Sequence, residues 1–393
     1  MVAFVQYSEH IGYVRLTVQV KLLPSKEQSE AMFGTLRTAN KAANRLSQLG
    51  WDAKTIEQFP MHRAFYRQLR DEFPLSAQIV VRLISKVADA YKLDRDRQRV
   101  FRVLGSISYD DRILKWFLAN SQVSIWTLGG RERIPFVCGE RQRAMLALQH
   151  GETDLVHRDG KWFLFATIDV PDVRESEAID VLGVDFGIVE IAADSDGTKY
   201  SGSTLNKIRN RNRALRRKLQ RIGTKSAKRL LKKRCRKEQR FATDTNHVIS
   251  KHIVQTAQRT NRAIAIENLT AIRSRVRAKR RERTRLHSWA FAQLGGFVAY
   301  KSALAGVPLV KVDPAFTSQR CSVCGHTEKA NRKSRNSFVC KSCGHVAHSD
   351  TNGAVNIRLR GLEMLIGAGD FNRPYADTSV SVSRCNLQSS PLG

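Results

Sequence analysis

The sequence has no apolar run of the roughly 18 or more residues that a membrane-spanning helix needs. It is also short of acid: 36 Asp and Glu stand against 67 Lys and Arg, a formal net charge of +31. Such an excess makes a compact chain repel itself unless a polyanion lies against it. Membrane surfaces are anionic too, but without a spanning segment the balance points to nucleic acid. Residues Met1 to Leu23 lack a cationic start, an apolar block and a small-residue cleavage site, so nothing in them directs export. The expectation is a soluble cytosolic protein bound to nucleic acid, long enough for two or three domains.

Cysteine is sparse and unevenly placed. Cys138, Cys235 and Cys385 are isolated and read as core residues or free thiols. The other four form two pairs, Cys321-Ser-Val-Cys324 and Cys340-Lys-Ser-Cys343, separated by fifteen residues and each followed by glycine. This spacing suits one tetrahedral Zn²⁺ held between two knuckles. Two disulfides are the alternative, which a reducing compartment disfavours. Four thiolates complete the coordination sphere, so the zinc is expected to be structural, with His326, His345 and His348 as bystanders. Arg320, Lys329, Arg332, Lys333 and Arg335 surround the pairs with positive charge.

Residues 13–23 alternate apolar and polar as a half-buried strand does. Pro24-Ser25 then opens a helix from Glu27 to about Leu46, and helical periodicity returns over 61–72 and 76–98. Short strands and turns are expected from 101 to 170. This order suggests a β-barrel-like module, residues 1–175, with a helical insert at about 27–100. After a composition change at 171–178, residues 180–202 read as three strands joined by a Gly187 turn and a Ser195-Asp196-Gly197 turn. Residues 205–259 read as helical, divided at Gly223-Thr224. A short buried strand at 262–269, a helix from Trp289 to Leu304 and a strand from Pro308 to Val312 follow. After the cysteines, SDTNGAVNIRL starts a helix with Ala354, Ile357 and Met364 on one face. The tail from Phe371, residues 371–393, is polar and expected to be flexible.

Between Lys207 and Arg240 there are 17 Lys and Arg and a single acid, Glu238. A solvated face is the usual meaning of a charge run, but this imbalance favours phosphate. Arg216, Arg217, Lys232 and Lys233 are the candidate backbone contacts here, Arg275 in a second basic run (Arg273 to Arg285), and Arg320 at the cysteines. Aromatics Trp116, Phe117, Trp126, Trp289 and Phe291 read as core before base-stacking partners.

Three acids stand out. Asp185 interrupts an apolar strand, LGVDFGI; Glu267 ends another, AIAIE; Asp350 opens the last helix. Singly, each has an ordinary reading as a cap, an ion-pair partner or a strand-end acid. Together, on a very basic chain, they fit a metal-dependent nuclease. Two Mg²⁺ about 3.5–4 Å apart activate water and stabilise attacking and leaving oxygens, and they prefer hard oxygen ligands.

GVDFGI, IAIENL and TSQRCSVCG…FVCKSCGHVAHSDTNGAVNI, in that order, closely resemble the C-terminal half of TnpB proteins, encoded by insertion sequences and related to compact type V CRISPR effectors. VQVKLLPSKEQ and FPLSAQIVVRLISKVADAYK resemble the family's N-terminal portion. The resemblance implies an α/β multidomain fold: a wedge-like β-barrel with a helical recognition insert, then an RNase H-like RuvC nuclease domain. The nuclease would span 176–312, with the basic hairpin at 205–240, and close with 350–370. A zinc ribbon at 313–349 would lie between. It implies Asp185, Glu267 and Asp350 as ligands of two Mg²⁺ (or Mn²⁺) and as catalytic residues of a DNA endonuclease. The implied partners are a guide RNA from the transposon end and target double-stranded DNA beside a short motif, in a prokaryotic cytoplasm at the nucleoid. The chain departs from the family at Ser349, where Arg is common, and at Gly353, where Ala is common. Competing readings are a silent RNA-guided repressor and a strand-transfer transposase; oligomeric state stays open.

Overall fold

In the computed structural model the residues described are 2–6, 13–171, 173–269, 291–334 and 336–370. The chain divides into two compact units, Met1–Arg174 and Glu175–Gly393.

In the first unit, strand β2 (Tyr13–Leu22) buries Val14, Leu16, Val18, Val20 and Leu22 on one face, as its alternation requires. It pairs antiparallel with β1 (Val2–Gln6), β6 (Gly130–Val137) and β8 (Lys161–Pro171). With β3 (Ile107–Tyr109), β4 (Leu114–Phe117), β5 (Gln122–Thr127) and β7 (Gln149–Arg158), the sheet runs β3-β7-β8-β2-β6-β5-β4 and is barrel-like. Helices α1 (Lys26–Asp52), α2 (Gln58–Glu72) and α3 (Ala77–Leu93) fall between β2 and β3. A reciprocal cap starts α1: Ser25 Oγ accepts from Gln28 N at 3.2 Å, and Ser25 N donates to Gln28 Oε1 at 3.1 Å.

Helix α3 stops short of the expected residue 98. Asp94 turns extended (φ −163°, ψ 114°), and its carbonyl accepts two bonds from the Arg99 guanidinium. Helix α4 (Glu140–Leu146) arises where only strands and turns were expected; seven residues are too few to show an apolar period. Trp116 and Trp126 pack against the first unit's core, in line with the expectation for them.

The second unit holds a five-stranded sheet ordered β11-β10-β9-β12-β13. Strands β9 (Asp180–Phe186), β10 (Glu190–Asp194) and β11 (Lys199–Ser201) form an antiparallel meander. Strands β12 (Arg262–Glu267) and β13 (Leu309–Val312) add in parallel. Helices α5 (Ser203–Ile222) and α6 (Lys225–Arg259) form a hairpin divided at Gly223, whose φ of 69° closes α5. Helix α7 (Phe291–Ala305) leads to β13, and α8 (Ser349–Asp370) ends the described chain.

Alternation along β9 and β12 sorts the two faces. Leu182, Val184, Phe186, Ile264 and Ile266 pack with Ile253 and Val254 of α6 and Leu294 and Val298 of α7. Val181, Ala263 and Ala265 pack with Ile357 of α8. Helices therefore cover both faces. Glycine lets α8 lie close: a methyl at Gly183 would overlap Ala354 O and Arg358 N, and one at Gly361 would meet Ala265 Cβ at 2.7 Å. Met364, expected on the buried face, is 50 % exposed, and Leu362 and Leu365 pack instead. No helix among the described residues is long and apolar enough to cross a membrane.

Candidate active site

Asp185 and Glu267 stand on adjacent parallel strands. Ile266 is in register with Val184, so Glu267 follows beside Asp185, on the face that carries Gly183 and Ala265 and is covered by α8. The first turn of α8 brings in Asp350, which is 8 % exposed. That turn touches Asp185 directly, since a Cβ on Gly353 would sit 3.2 Å from Asp185 Oδ2. The structure thus gathers three acids that are far apart along the chain.

The charges feel one another. Burial, and then the carboxylates of Glu267 and Asp350, push the Asp185 carboxyl up to about 7, against the Arg332 guanidinium. Burial also raises Glu267, opposed by a hydrogen bond from Thr317 and by Arg360. Thr317 Oγ1 donates to Glu267 Oε1 at 2.5 Å, fixing one carboxylate oxygen. Arg332 Nη2 lies 3.4 Å from Asp350 Oδ1. Ser349, at the position where TnpB proteins often carry Arg, is buried and donates to Ser334 O at 3.0 Å. The cation beside Asp350 comes from Arg332 instead.

The three carboxylates suit a hard divalent cation: oxygen donors only, in an anionic cluster offset in part by the Arg332 and Arg360 guanidiniums. They do not close to single-ion spacing. Among the described residues, the cysteines are the group of three or more such ligands that does, with all four sulfurs within 4.8 Å of one another.

Those sulfurs are tightly arranged. Cys321 Sγ lies 3.7 Å from Cys343 Sγ, and Cys324 Sγ lies 3.5 Å from Cys340 Sγ. Both are near the ~3.8 Å edge of a tetrahedron with Zn–S of about 2.3 Å, so the set is compatible with zinc. The pairs sit on matching turns, with Gly325 and Gly344 at φ of 75° and 73°. Gly325 N donates to Cys321 O and Gly344 N to Cys340 O. Buried Asn331 ties the turns together through Gln319 O, His326 O and Lys341 N. His326 faces Glu328, and His348 Nδ1 accepts from Asp350 N at 3.3 Å.

Of the candidate phosphate contacts, Arg216, Arg217, Lys232 and Lys233 are exposed on the α5–α6 hairpin. Arg216 lies 3.4 Å from Glu238, the one acid between Lys207 and Arg240. Arg320 is half-buried, and its carbonyl accepts from Asn352 and Asn356 of α8, so its backbone holds the cysteine module to that helix. Arg275, with the whole second basic run, lies outside the described residues.

Comparison with known proteins follows this division. Residues 165–273, holding Asp185 and Glu267, match a family model described as a probable transposase, OrfB_IS605. Residues 291–357, holding the cysteines and Asp350, match the Cas12f1-like TNB domain. A CRISPR-associated endodeoxyribonuclease Cas12f1 from Sulfoacidibacillus thermotolerans is 29 % identical over 56 % of this chain and 55 % of its own. A TnpB-like protein, MJ0751 of Methanocaldococcus jannaschii, is 31 % identical over 37 % of this chain and 51 % of its own. The chain is similar, over part of its length, to TnpB-like and Cas12f proteins.

The chain spans about half the length of the curated proteins it matches. Its fold is that of a chain in a Cas12f1–sgRNA–target DNA complex, with a TM-score of 0.61 at 17 % identity over 85 % of this chain and 83 % of that one. Two residues beside its acids escaped the sequence reading. Thr317 is one hydroxyl in a polar stretch, and Arg332 was one cation among five near the cysteines. Only their long-range partners, Glu267 and Asp350, single them out.

Proposed function

We propose that the chain is an RNA-guided DNA endonuclease of a transposable element, acting in the prokaryotic cytoplasm beside the nucleoid. The observation that carries this reading is the meeting of Asp185, Glu267 and Asp350 under the first turn of α8. The sheet order, an antiparallel meander extended by two parallel strands, supports an RNase H-like RuvC domain. The Cas12f1 relative is named an endodeoxyribonuclease, and the fold neighbour is in a complex with guide RNA and target DNA, which supports the same partners here.

In this reading Asp185, Glu267 and Asp350 would hold two Mg²⁺, or Mn²⁺ in their place. Two such ions, when bound, supply an activated water and neutralise charge on the attacking and leaving oxygens. Asp185 must first give up its proton, which its environment holds until near neutrality. Thr317 keeps one Glu267 oxygen fixed and leaves the other for the ion. Arg332, half-exposed, can turn from Asp350 to a phosphate oxygen once the acids are neutralised. Products carry 5′-phosphate and 3′-hydroxyl ends, and a single acidic site cuts both strands in turn. The cysteine module would hold one structural zinc, and exposed cations of the α5–α6 hairpin would grip backbone phosphates.

The test is cleavage of a matched plasmid by the protein purified with co-expressed RNA, in Mg²⁺ and over a range of flanking motifs. Wild-type cutting and its loss in Asp185→Ala are expected. Binding without cutting would make the chain a repressor, strand joining a transposase; equal activity of Asp185→Ala and wild type would remove the acids from the mechanism.

A further inference from the structure

Between β13 and the first cysteine pair the chain turns through Asp313-Pro314-Ala315-Phe316-Thr317. Phe316 has a φ of 61° and is 61 % exposed. Both facts are unfavourable for a bulky apolar side chain: the left-handed region strains any residue with a Cβ, and water gains nothing from the ring. The other described non-glycine residues with positive φ are Lys54, Ser121, Asp159 and Asn261, all polar. Glycine or asparagine at 316 would take the same backbone with less strain.

The backbone that carries the ring is nonetheless held in a defined place. Phe316 O accepts from Gln319 N at 2.9 Å and Arg320 N at 3.0 Å. The next residue, Thr317, donates to Glu267, and its carbonyl accepts from buried Asn356 of α8 at 2.9 Å. Arg360 closes the turn by donating to Asp313 O. A strained, exposed aromatic therefore stands on a fixed backbone, one residue from the side chain that orients a candidate metal ligand. Strain of this kind persists where the surroundings over-determine it, and it gathers at functional sites.

We propose that Phe316 is a stacking platform for a nucleobase of the strand whose phosphate lies at the acid cluster. Its ligand is an unpaired base of either purine or pyrimidine type, since every base offers a π-face. The inference rests on the nuclease reading of the acids and adds the element that positions the strand.

The experiment uses the full chain with its bound RNA, in an Asp185→Ala background that keeps DNA intact. Matched target duplexes carry single 2-aminopurines walked along the expected cut region. At one position wild-type Phe316 and Phe316→Trp should quench the probe, while Phe316→Asn and Phe316→Gly should not. In chains with Asp185 restored, the Asn and Gly variants should cut roughly 5- to 100-fold more slowly, the range that the loss of one stacked base allows. Their melting temperatures should equal or exceed wild type, because strain is relieved. Quenching that is unchanged in Phe316→Asn, or absent at every position in wild type, overturns the proposal. Cleavage that survives Asp185→Ala would instead overturn the nuclease reading, and the quenching result would still decide stacking.

Discussion

Asp185 carries opposing demands in one carboxyl group. It is buried beneath α8, and the proposed role requires it charged to hold a cation. Its pKa of about 7 lies above the ordinary carboxylate value of roughly 4. Between those values the folded chain binds a proton that the unfolded chain does not, so this group lowers stability as pH rises through the window. Asp185→Asn removes that penalty while keeping shape. In metal-free protein, denaturant titrations should show the variant more stable than wild type by about 2–4 kcal/mol at pH 8. The gap should close near pH 4–5, and Mg²⁺ should narrow it at pH 8 by binding only the acid. A gap independent of pH would mean the carboxyl is not held protonated by its surroundings. Asp185 and Glu267 stand out in the sequence because a carboxylate inside an apolar strand is an anomaly in any one-dimensional pattern, whereas Asp350, at a helix start, reads as a cap on its own. Thr317 and Arg332 do not stand out: each gains its meaning from a partner 50 or 18 residues away.

At the scale of elements, the spacing between helix and sheet decides the site. Gly183 and Asp185 share one face of β9, two residues apart, so the contact that seats α8 on Gly183 also sets where Asp350 meets Asp185. Gly183→Ala should cost roughly 1–3 kcal/mol by overpacking, because the methyl meets backbone that no rotamer can clear. It should also abolish cleavage by lifting α8. Gly353→Ala is the informative contrast. Its methyl meets the Asp185 carboxylate at 3.2 Å, a side chain that can yield by a few tenths of an ångström. Alanine there adds up to about 1 kcal/mol of helix stability. Melting temperature should therefore rise or hold while the cleavage rate changes, and parallel loss of both would refute this assignment. In the sequence Gly353 stands out only as a helix-softening residue; its nearness to Asp185 comes from packing. The strands were readable because alternation and turn residues are local signals. The early end of α3 and the appearance of α4 were not, since the first goes with the Arg99 guanidinium bonding back to Asp94 O and the second is too short to show an apolar period.

At the scale of the whole chain, charge dominates. A net +31 on 393 residues is a standing repulsion within the folded protein, and the α5–α6 hairpin concentrates it between Lys207 and Arg240, where 17 cations meet a single acid, Glu238. That imbalance was fully legible from composition, because net charge does not depend on the fold. It sets opposite salt responses for two states. Without RNA, added salt screens the self-repulsion, with a Debye length falling from about 10 Å at 0.1 M to about 3 Å at 1 M. The melting temperature should rise. With RNA bound, the polyanion already supplies the neutralisation, and stability includes the binding free energy. Salt weakens that binding steeply as counterions cease to be released, so the melting temperature of the complex should start higher and fall. Scanning both forms from 0.1 to 0.5 M KCl should give curves that converge. Parallel curves would show that the RNA does not lie on the excess charge, and would place the hairpin's cations outside the nucleic-acid interface.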